Sequence, residues 1–383
     1  MSELITTRTR ANTRLQLLGT VSALALLVTV STNANAEDTA RPTVWIELGG
    51  QLESMDSGQQ QFAPPFIRAT PRPAPETVSP LGVGHAPRHS FGGEGKISFE
   101  PEGTDWVFSA GVRFGRSNAH KHLHQQSYPT QPKIPPIEVA PGYFLSPTSF
   151  QYALPFSDID RQNSESHTLL DFQVGKDVGV GMLGRDGSSV FSLGVRFAQF
   201  GSNAHTAFKS QPDFHPSYKY FGTLKIPKGA HYHTNQATAA TAQSFHGIGP
   251  SLSWNASAPF AGNADDGEID FDWGVNGAML FGRQKAAVHH QTTGRYHKSG
   301  GYDVPKTTRY RNTPPDQARS RSVIVPNVGG FAGLSFRYDA AKVSFGYRAD
   351  FFFGAMDGGI DTRKTYGRNF YGPFATVSIG LGG

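Results

Sequence analysis

The stretch WVFSAGVRFG at residues 106–115 returns almost unchanged as VFSLGVRFAQF at residues 190–200. Each copy then runs into Ser-Asn-Ala-His, at 117–120 and 202–205. In the first copy Trp106, Phe108, Ala110, Val112 and Phe114 alternate with Ser109, Gly111, Arg113 and Gly115. In the second, Phe191, Leu193, Val195 and Phe197 alternate with Ser192, Gly194, Arg196 and Ala198. Successive side chains of an extended chain point to opposite faces, so each stretch predicts a strand with one apolar face and one polar or small face.

The same period-two pattern recurs along the chain. Ten segments carry it, beginning near Val44, Phe91, Trp106, His167, Phe191, Ile248, Ile269, Asn327, Lys342 and Tyr371. Most reach the ~10 residues that a tilted strand needs to cross a bilayer. Ten is the best count, with eight or twelve as alternatives. Aromatic residues stand near the ends of many apolar faces, as Trp106 with Phe114 and Phe271 with Phe281 do, which is how interfacial girdles look. The fold class expected is all-β, a transmembrane antiparallel β-barrel.

The connections sharpen this. Pro101-Glu102-Gly103-Thr104 and Asp339-Ala340-Ala341 are short, whereas about 55–88, 117–165, 201–243, 284–321 and 354–368 read as long loops. Short turns at one end and long loops at the other is the outer-membrane arrangement, and an open sheet edge in lipid would leave backbone groups unpaired, so closure is required. With a periplasmic N-terminus, every long loop falls outside.

Composition agrees. The 383 residues include 44 Gly and no Cys. Helical periodicity is almost absent. Arg8, Arg10 and Arg14, then a mostly apolar 15–30 and Ala34-Asn35-Ala36, make 1–36 a secretory signal peptide, with a short membrane anchor as the alternative. Residues 37–383 then form a single barrel domain. Beyond that segment no apolar run is long enough for a transmembrane helix. The basic residues are scattered, so the net charge of +5 does not predict nucleic-acid binding.

Glu47, Glu94, Arg113, Asp171, Arg196, Asp270, Asp272, Arg337, Arg348 and Asp350 are expected on the lumen face. They read either as the lining of a hydrated channel or as an ion-pair network filling a narrow barrel, since ten strands enclose little space. The 14 histidines all fall in external loops or at outer strand ends. His120, His122 and His124 share one face of an extended segment, His231 and His233 repeat the spacing, and His289 and His290 are adjacent. Imidazole ligates zinc, copper or nickel, so weak surface binding of a divalent metal is the one cofactor expectation. Protonation below pH ~6.5 would make this surface more positive. Asp158, Asp160 and His167, with Asp350, Asp357 and Asp361, lie near the outer mouth, but no spacing fixes a catalytic geometry. No enzyme is expected, an outer-rim hydrolase being the minor alternative. The prolines of the first two long loops suit stiff, solvated surfaces.

The signal peptide together with FSAGVRFG, FSLGVRFAQF, VSFGYRADFFFG and the closing YGPFATVSIGLGG resembles bacterial outer-membrane β-barrel proteins. The strands are similar to those of the pore-forming group related to the Legionella-type major outer-membrane protein. Two features depart from that group: the chain ends Leu381-Gly382-Gly383 rather than on an aromatic residue, and it lacks cysteines. The resemblance implies a porin-like channel for small hydrophilic solutes in the cell outer membrane. It implies partnership with outer-membrane lipid, lipopolysaccharide and the barrel-assembly machinery. The alternative is a non-conducting structural or adhesive barrel whose His- and Pro-rich loops bind a ligand outside.

Overall fold

The computed structural model describes residues 44–57, 88–126, 137–145, 156–178, 188–211, 215–221, 224–263, 267–300, 303–312, 315–360 and 364–382. The predicted signal peptide, most of the proline-rich loops, His85, Asp265, Asp266 and Asp361 lie outside them. Every described element is a strand: β1 (Val44–Ser57), β2 (Arg88–Phe99), β3 (Trp106–Gln126), β4 (Ile137–Ala140), β5 (Tyr143–Leu145), β6 (Phe156–Asp177) and β7 (Ser188–Gln211). There follow β8 (His215–Phe221), β9 (Leu224–Asn263), β10 (Gly267–Gly300), β11 (Asp303–Asn312), β12 (Gln317–Tyr338), β13 (Ala341–Asp357) and β14 (Thr365–Leu381).

Ten of these close into an antiparallel barrel in the order β1-β2-β3-β6-β7-β9-β10-β12-β13-β14, with β14 returning to β1. They are the ten segments read from the alternation. β4 and β5 form a separate hairpin. At one end the turns are tight. Gly103 takes φ 71° in the turn between β2 and β3, where the Thr104 amide and hydroxyl both donate to the Pro101 carbonyl. Asp339, at φ 52°, turns β12 into β13.

The two copies of the repeat explain each other through β6. β3 pairs with one edge of β6 and β7 with the other. Ser117, Asn118, Ala119 and His120 face Glu165, Ser164, Asn163 and Gln162. Ser202, Asn203, Ala204 and His205 face the same four residues from the other side. The second copy is two residues longer between its arginine and this segment. An insertion of two preserves the inside–outside alternation. It also places Phe200 opposite His167, where the first copy has Gly115.

The exterior is apolar around the circumference. Leu48, Ile97, Phe108, Phe172, Leu193, Leu252, Val275, Val328, Phe345 and Val377, one per barrel strand, are all more than 40 % exposed. Soluble monomers rarely expose a contiguous apolar surface of this extent. Above it the expected loops are shorter than the alternation suggested, because several strands continue. β3 pairs with β6 out to Gln126↔Phe156, and β9 with β10 out to His231↔Lys298. These extensions are rich in Ser, Thr, Asn and Gln. Outside a belt no face has to be apolar, so the strands carry no period-two signal there.

Candidate functional site: the barrel interior

Of the ten residues expected on the lumen face, several pair with one another or with side chains of other strands. Arg113 on β3 donates to Asp350 on β13 at 2.5 Å. Arg348 on β13 reaches Glu94 on β2. Arg196 on β7 holds Asp171 on β6 through Nε at 2.6 Å and a second nitrogen at 3.1 Å, a bidentate fork. The same guanidinium donates to Asn276 on β10 at 2.7 Å and to Asn327 on β12. Nearer the tight turns, Lys342 pairs with Asp272 at 2.8 Å, Arg337 lies over the Trp45 ring, and Ser378 donates to Glu47 at 3.5 Å. Asp270 is buried there too. Arg348 is further covered by Phe374, 4.6 Å from the ring centroid.

Toward the long-loop end the alternation did not foretell what fills the interior. Phe200 of β7, Phe245 of β9, Leu280 of β10, Val325 of β12 and Phe352 of β13 are fully enclosed, and Phe370 of β14 nearly so. Phe200 meets Phe352 edge-on at 4.8 Å and Phe370 at 5.6 Å. Counted around the barrel from β1, β7 is fifth and β14 tenth, so the Phe200–Phe370 contact spans the whole diameter. A water-filled lumen would wet these rings. Here they form a small apolar core inside the wall. The signal for it was present: Phe352 is the middle of Phe351-Phe352-Phe353, and if its neighbours face out it must face in.

A polar cluster borders this core. His167 on β6 lies 3.3 Å from Glu53 on β1, Ser90 on β2 donates to the same carboxylate at 3.3 Å, and the His167 ring packs 4.1 Å from Phe370. Gly115 is required here: a Cβ would come within 2.8 Å of the Glu53 carboxylate. Arg368 and Glu165 form a buried pair at 3.1 Å, and Asp357 receives Arg319 and Arg321. The residues weighed as an outer-rim hydrolase therefore separate. His167, Asp350 and Asp357 are committed to interior partners, while Asp158 and Asp160 face outward.

The described histidines of the metal expectation sit above the belt, each beside a cross-strand neighbour. His120 meets Asp160 at 2.9 Å, His124 meets Asp158 at 2.5 Å, and His122 stands 4.0 Å from the same carboxylate. His231 and His233 both pack on Tyr296, His289 pairs with Asp316, and His290 follows it on β10. Among the described residues no three such side chains converge on a point that would hold a metal ion.

Strand number, closure, apolar exterior and segregated connection lengths define an outer-membrane type of antiparallel β-barrel. No protein-family model matches the chain, and no curated protein matches it. Among solved structures it is similar to the transport unit of the autotransporter AIDA-I from Escherichia coli, at 7 % identity and TM-score 0.23, over 92 % of this chain and 94 % of that one. It is also similar to the outer-membrane expressed OmpT of Vibrio cholerae, at 9 % identity and TM-score 0.12, over 90 % and 99 % of the two chains. At TM-scores this low the likeness adds nothing to what the chain's own strand pairings establish.

Proposed function

We propose that the protein is an integral barrel of the outer membrane whose interior passes no solute, and that it acts through the strands rising above its apolar belt. The observation that carries this is the double crossing of the lumen. One layer of ion pairs and one layer of aromatic rings join opposite walls, and every group involved belongs to the wall itself. Among the described residues no separate plug stands in the lumen. The apolar exterior supports the membrane assignment, since hydrocarbon is the solvent in which it costs nothing. The strand extensions, rich in His, Ser, Thr and aromatic residues, support a surface-binding role.

The test is conductance. The full chain, refolded in detergent and shown folded by the heat-dependent shift of its gel band, is added to planar bilayers. A folded protein that stays silent is the expected result. Discrete ohmic steps from the unmodified chain would overturn the closed reading and favour porin-like passage of small hydrophilic solutes.

A further inference from the structure

Beyond Val288, where its pairing with β12 ends, β10 continues and takes β11 as its partner from Thr292 onward. β9 likewise passes from β7 to β8. The barrel thus prolongs into two hairpins, β8–β9 and β10–β11, which meet where His231 pairs with both His215 and Lys298; β8 and β11 each have one neighbour among the described residues. Residues 215–235 and 291–312, which build them, contain eight Lys and Arg and a single Asp, a formal charge of +7, whereas the whole chain carries +5. The two hairpins together thus carry more than the chain's whole positive excess, five of the eight basic residues being on β10 and β11.

The register makes the concentration more pointed. Arg295 stands directly opposite Arg309, and Lys298 directly opposite Lys306. Directly opposed residues share a face with their Cβ atoms about 5 Å apart, and like charges there destabilise the pair. Arg295 and Lys298 are three apart, so they lie on opposite faces of β10. Arg295 and Arg309 are exposed. On their face, β9 supplies Thr234 opposite Arg295 and Tyr232 opposite His297. The Tyr232 and His297 rings stack at 4.7 Å, and His297 is bonded to the Thr234 hydroxyl at 3.3 Å.

From this we infer that the outward face of β9, β10 and β11 around Arg295 and Arg309 is a docking surface for an acidic polysaccharide. Two adjacent guanidinium forks hold carboxylate, phosphate or sulfate oxygens and relieve their own repulsion by doing so. The stacked Tyr232–His297 pair beside them offers an aromatic face to a sugar ring. The inference rests on the outer-membrane reading for the side of the membrane involved, which favours a saccharide over a nucleic acid.

The experiment uses the full refolded chain and measures binding of polygalacturonate, neutral dextran and duplex DNA. Polygalacturonate is expected to bind, to weaken steeply as salt rises from about 50 to 500 mM, and to exceed the other two. Arg309→Glu is the decisive variant. It gives Arg295 a carboxylate partner, so the β10–β11 hairpin gains a favourable pair while the anion site is lost, and binding should fall by about tenfold or more. Arg295→Gln with Arg309→Gln should weaken binding similarly. Unchanged binding by Arg309→Glu, equal binding of dextran, or tighter binding of DNA would overturn the proposal. Conductance steps from the unmodified chain would instead sink the closed-barrel reading and leave this one standing.

Discussion

Phe200→Ala is the substitution that probes the interior most directly. Phe200 has no exposed surface and touches the rings of Phe245, Phe352 and Phe370. Truncating an enclosed phenylalanine costs about 3–5 kcal/mol, the loss growing with the cavity left behind. Here the cavity cannot collapse well, because β7 is bonded along both edges, to β6 and to β9. The upper half of that range is therefore expected. Urea unfolding of the full chain in lipid vesicles, followed by tryptophan fluorescence, measures it. Phe345→Leu is the control: Phe345 faces outward and is 61 % exposed, so the change should cost less than about 1 kcal/mol. A loss below about 1 kcal/mol for Phe200→Ala as well would mean that the ring sits in a hydrated lumen, and the closed interior would have to be abandoned.

Other outcomes follow from the same geometry. Because the lumen is crossed twice, Phe200→Ala alone should remain silent in planar bilayers, and steps should need Arg196→Ala together with Phe200→Ala and Phe370→Ala; steps from the single variant would show that the ion-pair layer does not seal. Asp350→Asn leaves Arg113 facing a neutral amide and should cost about 3–5 kcal/mol in urea, with most of it recovered when Arg113→Met is added. Leu193→Arg puts a charge in the middle of the exterior belt and should cost about 2–4 kcal/mol in vesicles but far less in detergent, a contrast that a soluble protein would not show. Asp158 lies 2.5 Å from His124 and 4.0 Å from His122 across the β3–β6 pairing, so Asp158→Asn should lower the protease resistance of the β3–β6 extension, read from the limited-digestion pattern of the folded chain.

Within the belt the architecture was legible because one face of every strand is apolar. An apolar exterior puts an apolar residue at every second position, so Phe108, Leu193 and Phe345 announce their strands and the direction of every side chain between them. The charges that pair as Arg113–Asp350, Arg348–Glu94 and Arg196–Asp171 were legible as the complement of that face. Above the belt that pattern ceases, and the continuation of β3, β6, β9 and β10 left no period to read. Parity tells which way a side chain points, never what it meets. That Arg113 finds Asp350 across the barrel, that Phe200 reaches Phe370, and that Arg295 is set against Arg309 depends on closure and register. Those are properties of the paired strands together, carried by backbone hydrogen bonds that any residue but proline can donate, and only the tertiary structure decides them.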